Sequence, residues 1–264
     1  MLERSTELGV TIERPGAAVG AFIHGIDLSQ PLDEPRFDFI KSALLEYHAV
    51  CVRNQRISPE QHIALTRRFG EVVISGRGMR EYPEIGEVGG PAIAVERWHS
   101  DATYALRPLA LALMVARSVP KFGEDLILAN QHTAYDLLSP ALQRMLGPLR
   151  AIHRNVLKSG EGEQNTHPVI RTHPVTARPA LYVNSQYTQR FEGMSEEESA
   201  PLLEYLCRHC TQPRLTWRHY WQEGDVLLWD NSNIQHYVVR DALNSPRRIF
   251  HRTSTVGDVP FYAG

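Results

Sequence analysis

The chain has 264 residues, 42% of them hydrophobic and 22% charged, the make-up of a globular protein with a real core. A formal net charge of −2 excludes the basic field that nucleic-acid binding needs, and no apolar run is long enough to span a bilayer. Three cysteines argue against a disulfide framework and for a reducing cytoplasm, while twelve histidines favour imidazole over thiolate as a metal ligand.

Met1-Leu2-Glu3-Arg4 is followed by polar residues without an apolar leader core, so the expectation is a cytoplasmic protein. Residues 8–30 alternate apolar and polar positions and break at Gly16, Gly20 and Gly25, which predicts short strands with tight turns. Phe37, Ile40, Leu44 and Leu45 stand at helical spacing within Glu34–His48, on a helix that should lie against a sheet. Ala49–Arg53 is a short β-rich run. Ser58-Pro59-Glu60-Gln61 has the form of a helix start, with Ser as cap, Pro in the first position and Gln returning to the cap, and the helix runs to about Phe69. His48 and His62 lie on these helices and are read as packed or solvated side chains. Glycines and prolines are dense between Gly76 and Pro91, so 71–97 is expected to be a long loop.

Chemistry enters at Trp98-His99-Ser100-Asp101. An imidazole and a carboxylate two positions apart in an extended segment point to one side of it, so both can enter a single metal site. A third ligand must come from elsewhere, and His236, within Leu228–Tyr237, is the late candidate with supportive neighbours. Two histidines and one carboxylate on one face leave the opposite coordination positions open, which suits ferrous iron that must hold a keto acid and then dioxygen.

Leu109–Arg117 is a nearly continuous apolar run of buried-strand length, and Asp125–Asn130 a further strand after the Pro120-x-x-Gly123 turn. His132–Leu146 divides into two short helices at Ser139-Pro140 and stops at Gly147-Pro148. Residues 158–166 are polar and glycine-rich, as in an insertion. A strand pair comes next, bounded by His167-Pro168 and His173-Pro174, whose histidines are assigned to turns; Tyr182-Val183-Asn184 ends it facing the site. Ser195-x-x-Glu198 is a capping box opening a helix through Leu202, Leu203 and Leu206. Cys207-x-x-Cys210 falls late in that helix and is read as packing. Thr216–Tyr220 and Val226–Trp229 are strands about the Glu223-Gly224-Asp225 turn. Arg247-Arg248-Ile249-Phe250-His251-Arg252 then brings guanidinium groups, planar forks that stay charged when buried and match the far carboxylate of a keto acid.

Many short strands interrupted by helices on one side argue for a mainly β fold with flanking helices, a double-stranded β-helix or jelly roll. With no internal repeat and no linker, 1–264 reads as one domain.

From near Gly20 to the C-terminus the chain resembles the TauD/TfdA family of iron(II)- and 2-oxoglutarate-dependent dioxygenases, most closely over Trp98–Pro108, His167–Asn184 and Gly224–Tyr262. The resemblance implies that His99, Asp101 and His236 hold iron(II) and form the catalytic centre. It also implies that Arg248 anchors 2-oxoglutarate, that Arg252 meets an anionic group of the substrate, and that Trp229 borders the iron pocket. Val95 stands near a taurine-contact position of the family, as do Ser75 and Gly78 after Phe69-Gly70-Glu71. These changes argue against taurine as the substrate and leave room for a larger or more apolar body. The family's Thr after the Gly-x-Asp turn, which assists 2-oxoglutarate binding, is Leu126 here, after Gly123-Glu124-Asp125. Losing one hydrogen bond to a charged group costs roughly 1.5–3 kcal/mol.

The activity that the resemblance implies is hydroxylation, or a desaturation or cleavage derived from it, of a small carboxylate, sulfonate or sulfate, with dioxygen consumed and succinate and carbon dioxide released. Asp101 fills the carboxylate position, so halogenation is not expected. Lid elements are expected at 72–97 and 156–167, and a homo-oligomer, dimer or tetramer, with no nucleic-acid or membrane partner. Two other readings use the same ligands. A zinc hydrolase would not need Arg248 and lacks an evident general base; a non-catalytic sensor would bind metal and 2-oxoglutarate without turnover.

Overall fold

The structure, a computed structural model, describes residues 2–5 by main chain alone and residues 8–16, 18–74, 78–89, 97–157, 162–241 and 248–264 in full. In chain order the strands are β1 (Leu2–Ser5), β2 (Val10–Glu13), β3 (Ala21–His24), β4 (Ala49–Val52), β5 (Gly86–Val88), β6 (Leu109–Ser118), β7 (Leu126–Asn130) and β8 (Arg150–Arg154). They continue as β9 (Gln164–Pro168), β10 (Ile170–Thr172), β11 (Pro179–Leu181), β12 (Thr188–Phe191), β13 (Thr216–His219), β14 (Val226–Asp230), β15 (Ile234–Val238) and β16 (Ile249–Val256). The helices are α1 (Glu34–Tyr47), α2 (Pro59–Arg67), α3 (Gln131–Asp136), α4 (Pro140–Leu146) and α5 (Glu196–His209).

Eight strands form one sheet in the order β1-β2-β3-β4-β14-β6-β16-β5, and β13-β7-β15 form a three-stranded sheet across the core from it. Smaller sheets β12-β8-β9 and β10-β11 complete a jelly roll. The large sheet mixes strands from both ends of the chain: β14 lies between β4 and β6, and β16 between β6 and β5.

The continuous apolar run in β6 has a physical reason. Its side chains alternate between two covered faces, as expected for a strand buried on both sides. Leu111, Leu113 and Val115 pack with Val50, Val52, Val226 and Leu228 under α1, whereas Ala112, Met114 and Ala116 join Cys51, Leu227, Trp229 and Phe250 inside the roll. Each such large side chain taken out of water stabilises the fold by roughly 1.5–3 kcal/mol. A third cluster, with Leu203, Leu206, Leu146 and Phe191, packs α4 and α5 against the small sheets.

Local signals place the helices where expected. The Ser58 hydroxyl accepts from the Gln61 N–H at 3.2 Å while the Gln61 side chain accepts from the Ser58 N–H at 2.8 Å, and Ser195 and Glu198 do the same at 3.1 and 2.7 Å. Cys207 is in the last turn of α5 and Cys210 caps it; both are free, and burial pushes both thiols up, Cys207 to about 11.

Two spans expected to be loops contain strand. Within 72–97, β5 pairs with β16 through Val88↔Phe250, Glu87↔His251 and Gly86↔Arg252. Within 156–167, Gln164 onward is β9, antiparallel to β8. Both are edge strands of three to five residues whose polar or glycine-rich sequence hides them from a search for alternation. Val95, Ser75 and Arg247 lie outside the described residues. No helix among the described residues is long and apolar enough to cross a membrane.

Candidate metal centre

His99 and His236 face each other across an antiparallel bridge. The His99 N–H donates to the His236 carbonyl at 3.1 Å, and the His236 N–H to the His99 carbonyl at 2.7 Å. Directly opposed residues project their side chains to the same face, so this pairing alone brings two imidazoles together, with ring centroids 4.3 Å apart. β15 is itself fixed by β7, where His236 stands opposite Leu128.

Asp101 arrives differently from the extended-strand expectation. The chain turns at Asp101, and Ala102 has a φ of 55°. Asn231 sets the turn: its Oδ1 accepts from the Asp101 N–H at 2.7 Å, and its Nδ2 donates to the Asp101 carbonyl at 3.0 Å and to that of Leu109 at 2.8 Å. The Asp101 Oδ1 then lies 3.7 Å from His99 Nε2 and 3.8 Å from His236 Nε2. One ligand atom from each of the three falls within 4.8 Å of the others.

The electrostatics suit a cation. Burial lowers both imidazoles, His236 to about 3, so they are neutral with lone pairs to offer. Burial alone would raise Asp101, but the Arg252 guanidinium and the two imidazoles outweigh it and hold the carboxyl at about 2. His99 Nδ1 donates to the Arg97 carbonyl at 2.8 Å, which leaves Nε2 as the donor atom facing Asp101. Two neutral imidazole nitrogens and one carboxylate oxygen are a donor set that fits ferrous iron.

The residues around this trio sort less simply. Arg252 Nη2 lies 2.5 Å from Asp101 Oδ2, so the group expected to meet substrate is bound to a ligand carboxylate, while its buried Nε has no hydrogen-bond partner among the described residues. Asp241 and Asp258, the other carboxylates near the end of the chain, pair with Arg218 and Arg171 and not with Arg252. Trp229 is fully buried, its ring 5.2 Å from that of His236 and 5.7 Å from the Arg252 guanidinium, so it walls the ligands from behind. Arg248 is 9% exposed and pairs with Glu124 at 3.1 Å. A side chain at Gly89, φ 146°, would meet the Arg248 carbonyl at 2.0 Å, so glycine there permits the close approach that seats this arginine.

Sequence reasoning passed over Asn231, Tyr187 and Glu124. Tyr187 sets its ring edge-on to His99 at 5.9 Å, and burial together with the Asp101 charge pushes its phenol up, so it stays protonated. His173 lies in a turn and its Nε2 donates to Asp230 at 2.7 Å; His167 lies in β9, not a turn, and bonds the Ala105 carbonyl at 2.9 Å. Asn184 reaches Thr103 at 3.1 Å, in the turn just after Asp101. A second trio, Cys51, His219 and Asp225, is also close-set, but burial pushes the Cys51 thiol well up, so it stays protonated, and Asp225 is held by Arg53 at 3.0 Å and the Gln222 N–H at 3.0 Å.

Residues 11–254 match the family model described as taurine catabolism dioxygenase TauD, TfdA family. The chain belongs to this family. It is therefore an enzyme, an iron(II)- and 2-oxoglutarate-dependent dioxygenase, and uses dioxygen as oxidant. An alkylsulfatase of Acinetobacter baylyi is 30% identical over 271 residues, covering 91% of this chain and 83% of that one. An alpha-ketoglutarate-dependent 2,4-dichlorophenoxyacetate dioxygenase of Cupriavidus pinatubonensis is 28% identical, covering 90% and 94%. The crystal structure of a taurine dioxygenase from Burkholderia xenovorans superposes with a TM-score of 0.90 at 32% identity, covering 96% and 93%. The zinc-hydrolase and sensor readings fall away with this membership.

Proposed function

We propose that this dioxygenase hydroxylates a small organic anion, with His99, Asp101 and His236 as the iron ligands and Arg248 as the anchor for the far carboxylate of 2-oxoglutarate. The supporting observation is the convergence of three donor atoms from two distant segments within 4.8 Å, walled by Trp229 and Tyr187. Iron(II), when bound there, supplies the activation of dioxygen that side chains alone lack. The protein's own contribution is position: Asn231 holds Asp101, the His99–His236 bridge holds both imidazoles, and a largely buried surround excludes water.

Arg252 supports an anionic substrate, though not as a free guanidinium. It is shared with Asp101 through Nη1 and Nη2, and the second N–H of each is the donor proposed for a sulfate, sulfonate or carboxylate. The named substrates of the relatives, alkyl sulfates and an aryloxyacetate, carry head groups of this kind. Spans 72–97 and 156–167, of which 75–77, 90–96 and 158–161 lie outside the described residues, are proposed as lid elements within one domain of residues 1–264 working in the cytoplasm. A dimer or tetramer is proposed as the working assembly.

The test is anaerobic addition of iron(II) and 2-oxoglutarate, which produces a weak visible charge-transfer band. A panel of alkyl sulfates, sulfonates and aryloxy acids then identifies the compound that stimulates succinate release in air. A band absent in the wild-type protein, or succinate release that only neutral compounds stimulate, contradicts the reading.

A further inference from the structure

Arg248, read as the co-substrate anchor, does not stand free. Its Nη1 lies 3.1 Å from Glu124 Oε2 and also donates to the Glu124 carbonyl at 3.3 Å, and the two side chains are only 10% and 17% exposed. The residue that delivers this carboxylate is held in an unfavourable conformation. Glu124 has a φ of 60°, directly after Gly123 at 78°. A left-handed backbone is unfavourable for a non-glycine residue and persists only where surroundings over-determine it.

Here they do. The Glu124 N–H donates to Asp241 at 3.0 Å, and Arg218 grips Asp241 at 2.9 Å and Asp125 at 2.7 Å. The turn is thus clamped from both sides, and its side chain is presented to the guanidinium that 2-oxoglutarate needs. Leu126, two residues on, offers no hydroxyl to assist an incoming carboxylate. Burial lowers the basicity of Arg248, Glu124 opposes that, and the nearby Arg240 adds to it.

We propose that Glu124 is a built-in competitor for Arg248 that sets how tightly, and with what preference over monoacids, the enzyme takes a 2-oxo diacid. This rests on the reading of Arg248 as the 2-oxoglutarate anchor. A diacid must displace the Glu124 carboxylate or share the guanidinium with it, bringing two negative charges together. A 2-oxo monoacid such as pyruvate has no second carboxylate and meets no such competition. Removing the competitor leaves Arg248 buried and uncompensated in the free protein, which raises the free state and tightens diacid binding.

The experiment is calorimetric titration of the full chain loaded with Mn(II), with 2-oxoglutarate and separately with pyruvate, where no turnover occurs. Glu124→Gln removes the charge at constant size; Glu124→Gly also relieves the backbone, and thermal unfolding checks that each variant is folded. Both variants are expected to tighten 2-oxoglutarate roughly tenfold, the size of one hydrogen bond to a charged group, and to leave pyruvate unchanged. A wild type too weak to measure beside a Gln variant that binds is the same result in stronger form. Unchanged or weakened 2-oxoglutarate binding, equal tightening of pyruvate, tightening in the Gly variant alone, or no binding in any variant overturns the proposal. Arg248→Ala separates the two levels. If it leaves 2-oxoglutarate affinity at the wild-type value, the anchor reading itself has failed. If it weakens affinity while the Glu124 variants do not tighten it, only the competitor has failed.

Discussion

At the proposed metal-ligand end of the site, His99, Asp101 and His236 stand with neutral imidazoles, an ionised carboxylate shared with Arg252 and an oriented turn. At the anchor end, beside the first residue of β16, Arg248 is already paired with Glu124 from a strained turn. In one region two neutral imidazoles keep lone pairs to offer beside a carboxylate; in the other the guanidinium is already held by a carboxylate. The difference matters because a preorganised site binds without rearranging, whereas a self-satisfied one must first break an interaction of its own. With the proposed roles of these residues, metal affinity and co-substrate affinity are expected to be set by separate parts of the chain.

The largest expected effect breaks the ligand end outright. His99→Ala removes a donor atom and half of the imidazole pair, and should abolish both the iron(II)–2-oxoglutarate absorption band and succinate release; a band of wild-type intensity would remove His99 from the ligand set. Arg248→Ala attacks the other end. Loss of a buried charged partner costs roughly 3–5 kcal/mol, a rise of two orders of magnitude or more in the 2-oxoglutarate requirement. Iron affinity, measured separately, should barely move. An equal loss of both would merge the two ends into one unit.

Acid sharpens the contrast in stability. Burial lowers His48, His62 and His153 to about 3 and His132 and His167 to about 4, against 6.5 when unfolded. The folded state therefore keeps them neutral while the unfolded state takes up protons. Stability is fully present above pH 6.5 and falls as pH drops from there toward 3–4. The loss is felt at the ligand end, since the His48 carbonyl accepts from Asp230 and His153 bonds Thr103 in the turn after Asp101. Hydrogen exchange at pH 5 should show that turn opening before the Glu124 turn; simultaneous opening would contradict the distinction.

Asn231→Ala should cost about 10- to 100-fold in metal affinity, as expected for a residue that orients a ligand without touching the metal, with little change in co-substrate requirement once metal is saturating. The smallest effect is a control away from both ends: Ser58→Ala removes one helix cap and should lower stability by about 1 kcal/mol while leaving both affinities unchanged. Denaturant titration and the two binding measurements check it.

Much of this molecule was legible from local chemistry. Ser58 and Ser195 announce their helices because a cap and its reciprocal partner lie three residues apart. β6 announces burial because a strand covered on both faces has no polar side to show. His99 and Asp101 stand out by spacing and His236 by its neighbours, whereas Arg248 was singled out from the Arg247–Arg252 cluster only by the family resemblance. The features that stayed hidden involve partners far apart in sequence. Arg252 and Asp101, 151 positions apart, form a pair that neither residue advertises, and Asn231 grips Asp101 across 130 positions. β5 escaped notice because three residues, Gly86-Glu87-Val88, are too few to show alternation, and only pairing with β16 makes them a strand.

The amino-acid order by itself determined the donor types, the helices and the strand faces, since these depend on residues within a few positions of one another. Only the folded chain decided that His99 would stand opposite His236, that Asp101 would turn toward both, and that Glu124 would reach Arg248 first. Those outcomes depend on strand register and turn geometry, which arise when distant segments pair and have no counterpart in any short stretch of sequence.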